Sequence, residues 1–161
     1  MGKFKNENYS KILFTLSILI LISVFIIEYI FGYQPCNLCI IERFPYALAI
    51  MILFLNYIFK KDQIFYSILL ILIFLFSTLI SIYHLGIEQG FVDESSVCAS
   101  ESLDLTTKKD ILNSLQDLNI SCKDVAFKIF GLSLTTYNIF ISLFMLILSL
   151  KIYLLNYDIK K

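Results

Sequence analysis

The first chemical signal in the chain is a pair of cysteines separated by two residues, Cys36-Asn37-Leu38-Cys39. A C-x-x-C pair can serve as a redox couple, half of a zinc site, a haem attachment point or a structural disulfide. Haem attachment needs a histidine directly after the second cysteine, and Ile40 stands there. A structural zinc site wants four ligands, yet Cys98 and Cys122 lie far from each other in sequence and His84 is the single histidine. No metal is expected. The redox couple and the structural disulfide remain open.

Position favours the redox couple. Cys36, Cys39 and Arg43 are related as i, i+3 and i+7, so on a continuous helix they share one face. A thiolate at a helix N-terminus is stabilised by the helix dipole by about 0.3–1 kcal/mol when exposed and up to about 2 kcal/mol when partly buried. At about 1.36 kcal/mol per pKa unit, that lowers a thiol by about one unit or less. A guanidinium one turn away adds a comparable effect, and together they make a reactive cysteine. Pro45 works against this geometry, because it removes a helical hydrogen bond and biases Phe44 away from helical dihedrals. Either the helix kinks there, or it begins at Pro45 with the cysteines in the preceding turn. Only the kinked helix keeps the shared face.

Arg43 has two readings. It is an interfacial anchor or a partner of Glu42 or Glu28; or it donates to a quinone carbonyl and stabilises the negative charge that develops on reduction. His84 is either structural or a proton donor or quinone ligand, at about the depth of the C-x-x-C. Cys98 and Cys122 form either a purely structural disulfide across a loop or an exposed, exchangeable one.

The elements that hold these residues are legible from hydropathy. Of 161 residues 58% are hydrophobic, with a mean hydropathy of +0.80, well above the roughly 45–50% apolar content of soluble domains. Thirteen basic residues balance thirteen acidic ones, so charge gives no reason to expect a nucleic acid partner. A membrane span needs roughly 20 mainly apolar residues, and stretches at about 12–31, 38–59, 64–85 and 132–155 meet that need. The first is longer than a signal-peptide core and no small-residue cleavage site follows it, so it reads as a retained helix. With no tryptophan in the chain, tyrosine must supply any interfacial aromatic belt. Backbone groups in lipid must satisfy one another. The expectation is therefore an all-α, polytopic four-helix bundle, one domain over 1–161, with a long extracytoplasmic loop at about 86–131. Within that loop Thr107-Lys108-Lys109-Asp110 resembles a capping box. Ile111, Leu112, Leu115 and Leu118 follow it at helical spacing, as in a short amphipathic helix on the membrane surface.

Lysine and arginine in short loops set orientation. Lys3, Lys5 and Lys11 precede the first stretch, Lys60 and Lys61 separate the second and third, and Lys151, Lys160 and Lys161 close the chain. The connection 32–35 has neither residue, and the long loop carries four lysines against eight acidic residues. Both termini are expected in the cytoplasm and all four cysteines on the opposite side, where disulfides persist.

Taken in order, Pro35-Cys36-Asn37-Leu38-Cys39, Glu42-Arg43, Tyr83-His84-Leu85-Gly86-Ile87-Glu88, Cys98, Cys122 and Gly131-Leu132-Ser133 through Asn138 resemble the DsbB family, the disulfide-forming quinone reductases of the bacterial inner membrane. The resemblance implies a protein-dithiol:quinone oxidoreductase, a monomer among membrane lipids, that reoxidises a periplasmic, DsbA-like thioredoxin-fold protein. That places it in electron transport and in chaperone-like support of folding. It implies that Cys98 forms the mixed disulfide with the partner and that Cys122 is its loop mate. The electrons then pass to Cys36–Cys39 and on to ubiquinone or menaquinone. Cys36 corresponds to the cysteine that exchanges with the loop, Cys39 to the one at the quinone, Arg43 to an arginine placed at the quinone and His84 to a histidine near it. Nothing is carried over for Glu28, and the stretch 131–138 has no assigned role. A vitamin K epoxide reductase-like enzyme is disfavoured, because its active C-x-x-C usually follows the loop cysteines. A DsbI-like relative with another thiol partner, and a non-enzymatic scaffold held by disulfides, are the other readings.

Overall fold

A computed structural model of the chain describes residues 2–59, 62–93, 98, 122–123, 128–129 and 131–160. The elements are α1 (Gly2–Tyr29), α2 (Asn37–Ile41), α3 (Phe44–Phe59), α4 (Gln63–Glu88), β1 (Lys128–Ile129), β2 (Leu132–Ser133) and α5 (Leu134–Lys160). Among the described residues, four helical segments are long and apolar enough to cross a membrane: Glu7–Tyr29, Asn37–Phe59, Gln63–Glu88 and Leu134–Asp158. The all-α, four-helix architecture expected from hydropathy is the one observed. Strand is confined among the described residues to two paired residues on each side of Gly131, with Lys128 opposite Ser133 and Ile129 opposite Leu132. The amphipathic helix expected after Thr107 lies outside the described residues.

The helices form a ring in which α1 packs on α3 and α5, and α4 packs on the same two. Leu13, Tyr46, Ala49, Leu53, Leu70, Phe74, Met145 and Ile152 fill its centre. Leu19, Phe54, Leu72, Phe76, Leu79, Phe140 and Phe144 point outward and are exposed, as helices surrounded by lipid require. Lipid removes the hydrophobic drive between helices, so packing and interhelical hydrogen bonds hold them together. Small polar residues supply both. Buried Ser67, Ser77, Thr78 and Ser81 line α4, and Ser142 and Ser149 line α5. Thr78 donates to the Ser142 hydroxyl at 3.2 Å, and Asn156 Nδ2 donates to the Ser67 hydroxyl at 2.9 Å.

The second span is broken, which neither sequence alternative around Pro45 described. Cys36 caps the five-residue α2, its sulfur accepting the Cys39 N–H at 3.3 Å. The chain leaves the helix at Glu42 and Arg43 and restarts at Phe44, with Ala47 N–H donating to the Arg43 carbonyl at 3.2 Å. Pro45 therefore sits in the first turn of α3, where a missing N–H costs no helical bond. The break turns Glu42 inward: the residue is buried.

At the same end of the bundle α4 terminates in a Schellman turn. Gly90 adopts φ +76°, its N–H donates to the Ile87 carbonyl at 3.0 Å, and Phe91 N–H donates to the Gly86 carbonyl at 2.9 Å. Glycine takes this left-handed conformation without strain. The turn folds Val92 back over Gly86, where an added Cβ would stand 3.1 Å from Val92 Cγ2. This closure fixes the last turns of α4, which carry His84 and Glu88.

Candidate functional site

Five elements converge at this end. Helix α2 brings Cys36 and Cys39, the break after it brings Glu42 and Arg43, and α4 brings Ser81, His84 and Glu88. From α1 comes Glu28, and from α5 Thr135 and Asn138. Cys36 and Cys39 are free thiols with their sulfurs 2.8 Å apart. Cys36 Sγ also lies 3.5 Å from His84 Nε2. The other ring nitrogen, Nδ1, faces Glu42 Oε1 at 3.1 Å, so the imidazole is held between a carboxylate and a thiol.

A polar network fixes that carboxylate. Asn138 Nδ2 donates to Glu42 Oε2 at 3.0 Å and to the Ser81 hydroxyl at 2.8 Å, while Asn138 Oδ1 accepts from the Tyr46 hydroxyl at 2.6 Å. Thr135 donates to Glu88 Oε1 at 2.5 Å, and that oxygen stands 3.9 Å from His84 Nε2. In a low-dielectric interior, satisfied networks of this kind specify one arrangement of their members.

Cys98 and Cys122 form a disulfide with a Cα–Cα separation of 5.4 Å. Both are 2% exposed and pack in one cluster with Cys36, Leu38 and Ile87, against which Cys39 also rests. All four cysteines thus meet. The disulfide is buried against the C-x-x-C, and the exposed loop disulfide considered from sequence is not what the structure shows.

Arg43 Nη1 donates to Glu28 Oε2 in an ion pair whose side chains are 16% and 22% exposed. Its guanidinium carbon stands 5.5 Å from the centre of the Phe25 ring, close enough for cation–π attraction. Its Nε is buried with no hydrogen-bond partner among the described residues. Of the two carboxylates considered as partners from sequence, Arg43 takes Glu28, and Glu42 is engaged by His84 and Asn138.

A cavity of about 350 Å³ runs between these groups, within the range of small-molecule sites. Cys36, Cys39, Arg43, His84 and Cys122 line it, together with apolar Ile20, Leu21, Val24, Ile27 and Ile141. Five of the six site residues expected from sequence therefore line this cavity, and Cys98 is tied to it through Cys122. Sequence reasoning missed Glu28, Glu88, Thr135 and Asn138 as members. A signal existed for Glu28, because a carboxylate inside an apolar span is costly and marks a buried partner or pathway; Glu88 stood only in the resemblance stretch 83–88. For Thr135 and Asn138 the one signal was the resemblance over 131–138, which assigned no role, since a small polar residue in a span also serves plain helix packing.

Cys36 stands just ahead of the second span, and its thiol is drawn far below the ordinary range, to about 4. The hydrogen bond from Cys39 is the main cause; burial opposes it, and the hydrogen bond and charge of His84 reinforce it. A lowered pKa means that the thiolate persists as pH falls. Alkylation of Cys36 in the reduced protein is expected to stay nearly constant from about pH 8 to about pH 5, where an ordinary thiol slows about tenfold per unit. Cys39→Ala removes the donor and should move the midpoint toward neutrality. Mass spectrometry of the alkylated peptide reads both, and a wild-type profile that falls steadily below pH 8 contradicts the assignment.

The ligand atoms of Cys36, Cys39 and His84 all lie within 4.8 Å of one another, so these three can also address a single ion.

A family model described as disulfide bond formation protein DsbB matches residues 7–152. A relative from Rickettsia prowazekii (strain Madrid E), itself uncharacterized, is 37% identical over 141 residues, covering 84% of this chain and 81% of the relative. No solved structure gives a significant match.

Proposed function

Because the chain belongs to the DsbB family of disulfide bond formation proteins, we propose that it reoxidises a DsbA-like dithiol protein at the outer face of the bacterial inner membrane and delivers the two electrons to ubiquinone or menaquinone. The observation that carries this reading is the meeting of the loop disulfide, the C-x-x-C and one cavity at a single end of the bundle.

The exchange steps balance. Two thiols of the partner reduce Cys98–Cys122, with Cys98 forming the mixed disulfide, and leave as the partner's own disulfide. The loop thiols then reduce a Cys36–Cys39 disulfide, with attack on Cys36, and regenerate Cys98–Cys122. The cavity-lining position of Cys122 favours it as the loop cysteine that meets Cys36. The reduced pair holds two electrons and two protons, and a quinone supplies the acceptor for both. Residues of this chain fit such a ring: the cavity has apolar walls, and the unpartnered Arg43 Nε is a buried donor suited to a carbonyl oxygen. Buried donors left unmatched are uncommon. Cys39 lines the same cavity, placed to pass electrons on, and His84, backed by Glu42, is placed to hold or release a proton at Nε2.

Charge distribution supports the orientation, with both termini cytoplasmic and the cysteines periplasmic. A cysteine reporter at Lys61, in a chain whose native thiols are blocked, is expected to resist a membrane-impermeant reagent in intact cells while one at Gln34 reacts. Labelling at Lys61 contradicts the orientation. The function itself is tested with purified chain, reduced DsbA-like partner and quinone in the absence of oxygen. One quinone should be consumed for every two partner thiols lost; thiol loss that continues without quinone counts against the proposal.

A further inference from the structure

We propose that the reduced C-x-x-C is a redox-gated metal site: Cys36 Sγ, Cys39 Sγ and His84 Nε2 bind one thiophilic divalent cation, of which Zn²⁺ is the type, and the ion withdraws both sulfurs from disulfide exchange. Two thiolates and an imidazole are the ligands that zinc prefers, at about 2.3 Å to sulfur and about 2.0–2.1 Å to nitrogen, so neighbouring ligand atoms around a tetrahedral ion stand roughly 3.5–3.8 Å apart. Cys36 Sγ and His84 Nε2 already stand at 3.5 Å. The two sulfurs, at 2.8 Å, need to open by about 1 Å to reach that tetrahedral spacing, a movement that side-chain rotation in the short α2 supplies.

Two further observations point to an ion. A metal-binding histidine commonly presents its second ring nitrogen to a carboxylate, which fixes the ring and raises its basicity. His84 does this through Glu42 at 3.1 Å, and Glu42 is itself held by Asn138. A buried carboxylate also stands beside the histidine. The Glu88 side chain is 6% exposed, its Oε1 lies 3.9 Å from His84 Nε2, and its Oε2 is buried with no hydrogen-bond partner among the described residues. Sequence alone argues against zinc because it shows no second ligand pair near the first. The fold supplies the third ligand, His84, from α4.

Binding displaces any proton still on the two sulfurs or on His84 Nε2 and changes no oxidation state. A Cys36–Cys39 disulfide has no thiolate to offer, so the oxidised protein does not bind. The proposal does not depend on the quinone reading, since it concerns only the dithiol and the ion.

The test uses the full chain in detergent, with Cys36–Cys39 reduced, Cys98–Cys122 intact and Co²⁺ as the spectroscopic probe. Reduced protein should bind one Co²⁺ per chain with a thiolate-to-cobalt charge-transfer band, and one equivalent of Zn²⁺ should abolish that band. Protein with Cys36–Cys39 oxidised should show no band, which keeps the test valid whatever the folding of any variant. His84→Ala should weaken binding at least about tenfold, and Glu42→Gln should weaken it to a lesser degree. Bound Zn²⁺ should slow the reaction of the dithiol with a small disulfide reagent by at least about tenfold, with recovery on chelation. The proposal is overturned by a missing band in reduced protein, by equal binding to the oxidised form, by unchanged affinity in folded His84→Ala, or by exchange that proceeds at full rate with Zn²⁺ bound.

Discussion

Arg43→Ala is expected to slow quinone reduction by roughly 100-fold or more, the typical cost of removing one preorganised donor from a site of developing charge. It also strands Glu28 inside the bundle. Breaking a fully buried pair costs about 3–5 kcal/mol; with the two side chains 16% and 22% exposed, the discounted loss is about 2 kcal/mol. The two effects separate in the double variant Glu28→Gln with Arg43→Ala, where no charge is left unpaired. Its denaturation midpoint in detergent should return most of the way to that of the wild type while quinone reduction stays slow. Recovery of both together would mean that Arg43 serves the fold and does not touch quinone.

The loop cysteines give the second large effect. Cys122→Ser leaves Cys98 as a lone thiol, able to attack the disulfide of an oxidised DsbA-like partner and release one partner thiol. The mixed disulfide should build up to the level set by its reversal through the freed partner thiol, because Cys122, whose attack would release the reduced partner, is gone. Cys98→Ser should trap almost none, while its Cys36–Cys39 pair remains reducible by a small dithiol. Non-reducing electrophoresis reads the covalent complex directly. Equal trapping by both variants would remove the division of labour between Cys98 and Cys122. Burial of both sulfurs against Cys36 adds a requirement, since the loop must present Cys98 before any partner reaches it.

The fold was readable where the physics is one-dimensional. An apolar run of about twenty residues has few alternatives to a membrane-crossing helix, and the four runs identify the four long spans. The C-x-x-C and Arg43 were visible as a spacing, and His84 as the single histidine at matching depth. What spacing could not show is how the second span is interrupted. The expectation that Cys36, Cys39 and Arg43 share a face assumed a continuous helix, whereas the chain breaks at Glu42 and Arg43 and the three line one cavity across that break. Glu28 and Glu42 stood out as acids in apolar surroundings, yet which one would take Arg43 depends on how α1 packs beside α3, a matter of tertiary contact alone. Asn138 is the clearest case of a hidden member. It ends the stretch 131–138 that carried the resemblance without a role, and only the fold shows it joining Glu42, Ser81 and Tyr46. Residues after Thr107 that suggested an amphipathic helix lie outside the described residues.

The central claim is that electrons leave the protein from Cys36–Cys39. It is tested by reducing all four cysteines of the purified chain, adding one equivalent of quinone without oxygen, and following quinone absorbance while thiols are quenched with an alkylating agent at intervals. The account predicts that quinone absorbance falls as Cys36 and Cys39 become protected, ahead of Cys98 and Cys122, and that Cys36→Ser leaves the absorbance unchanged. Protection of Cys98 and Cys122 first, or quinone reduction undiminished in Cys36→Ser, would contradict it.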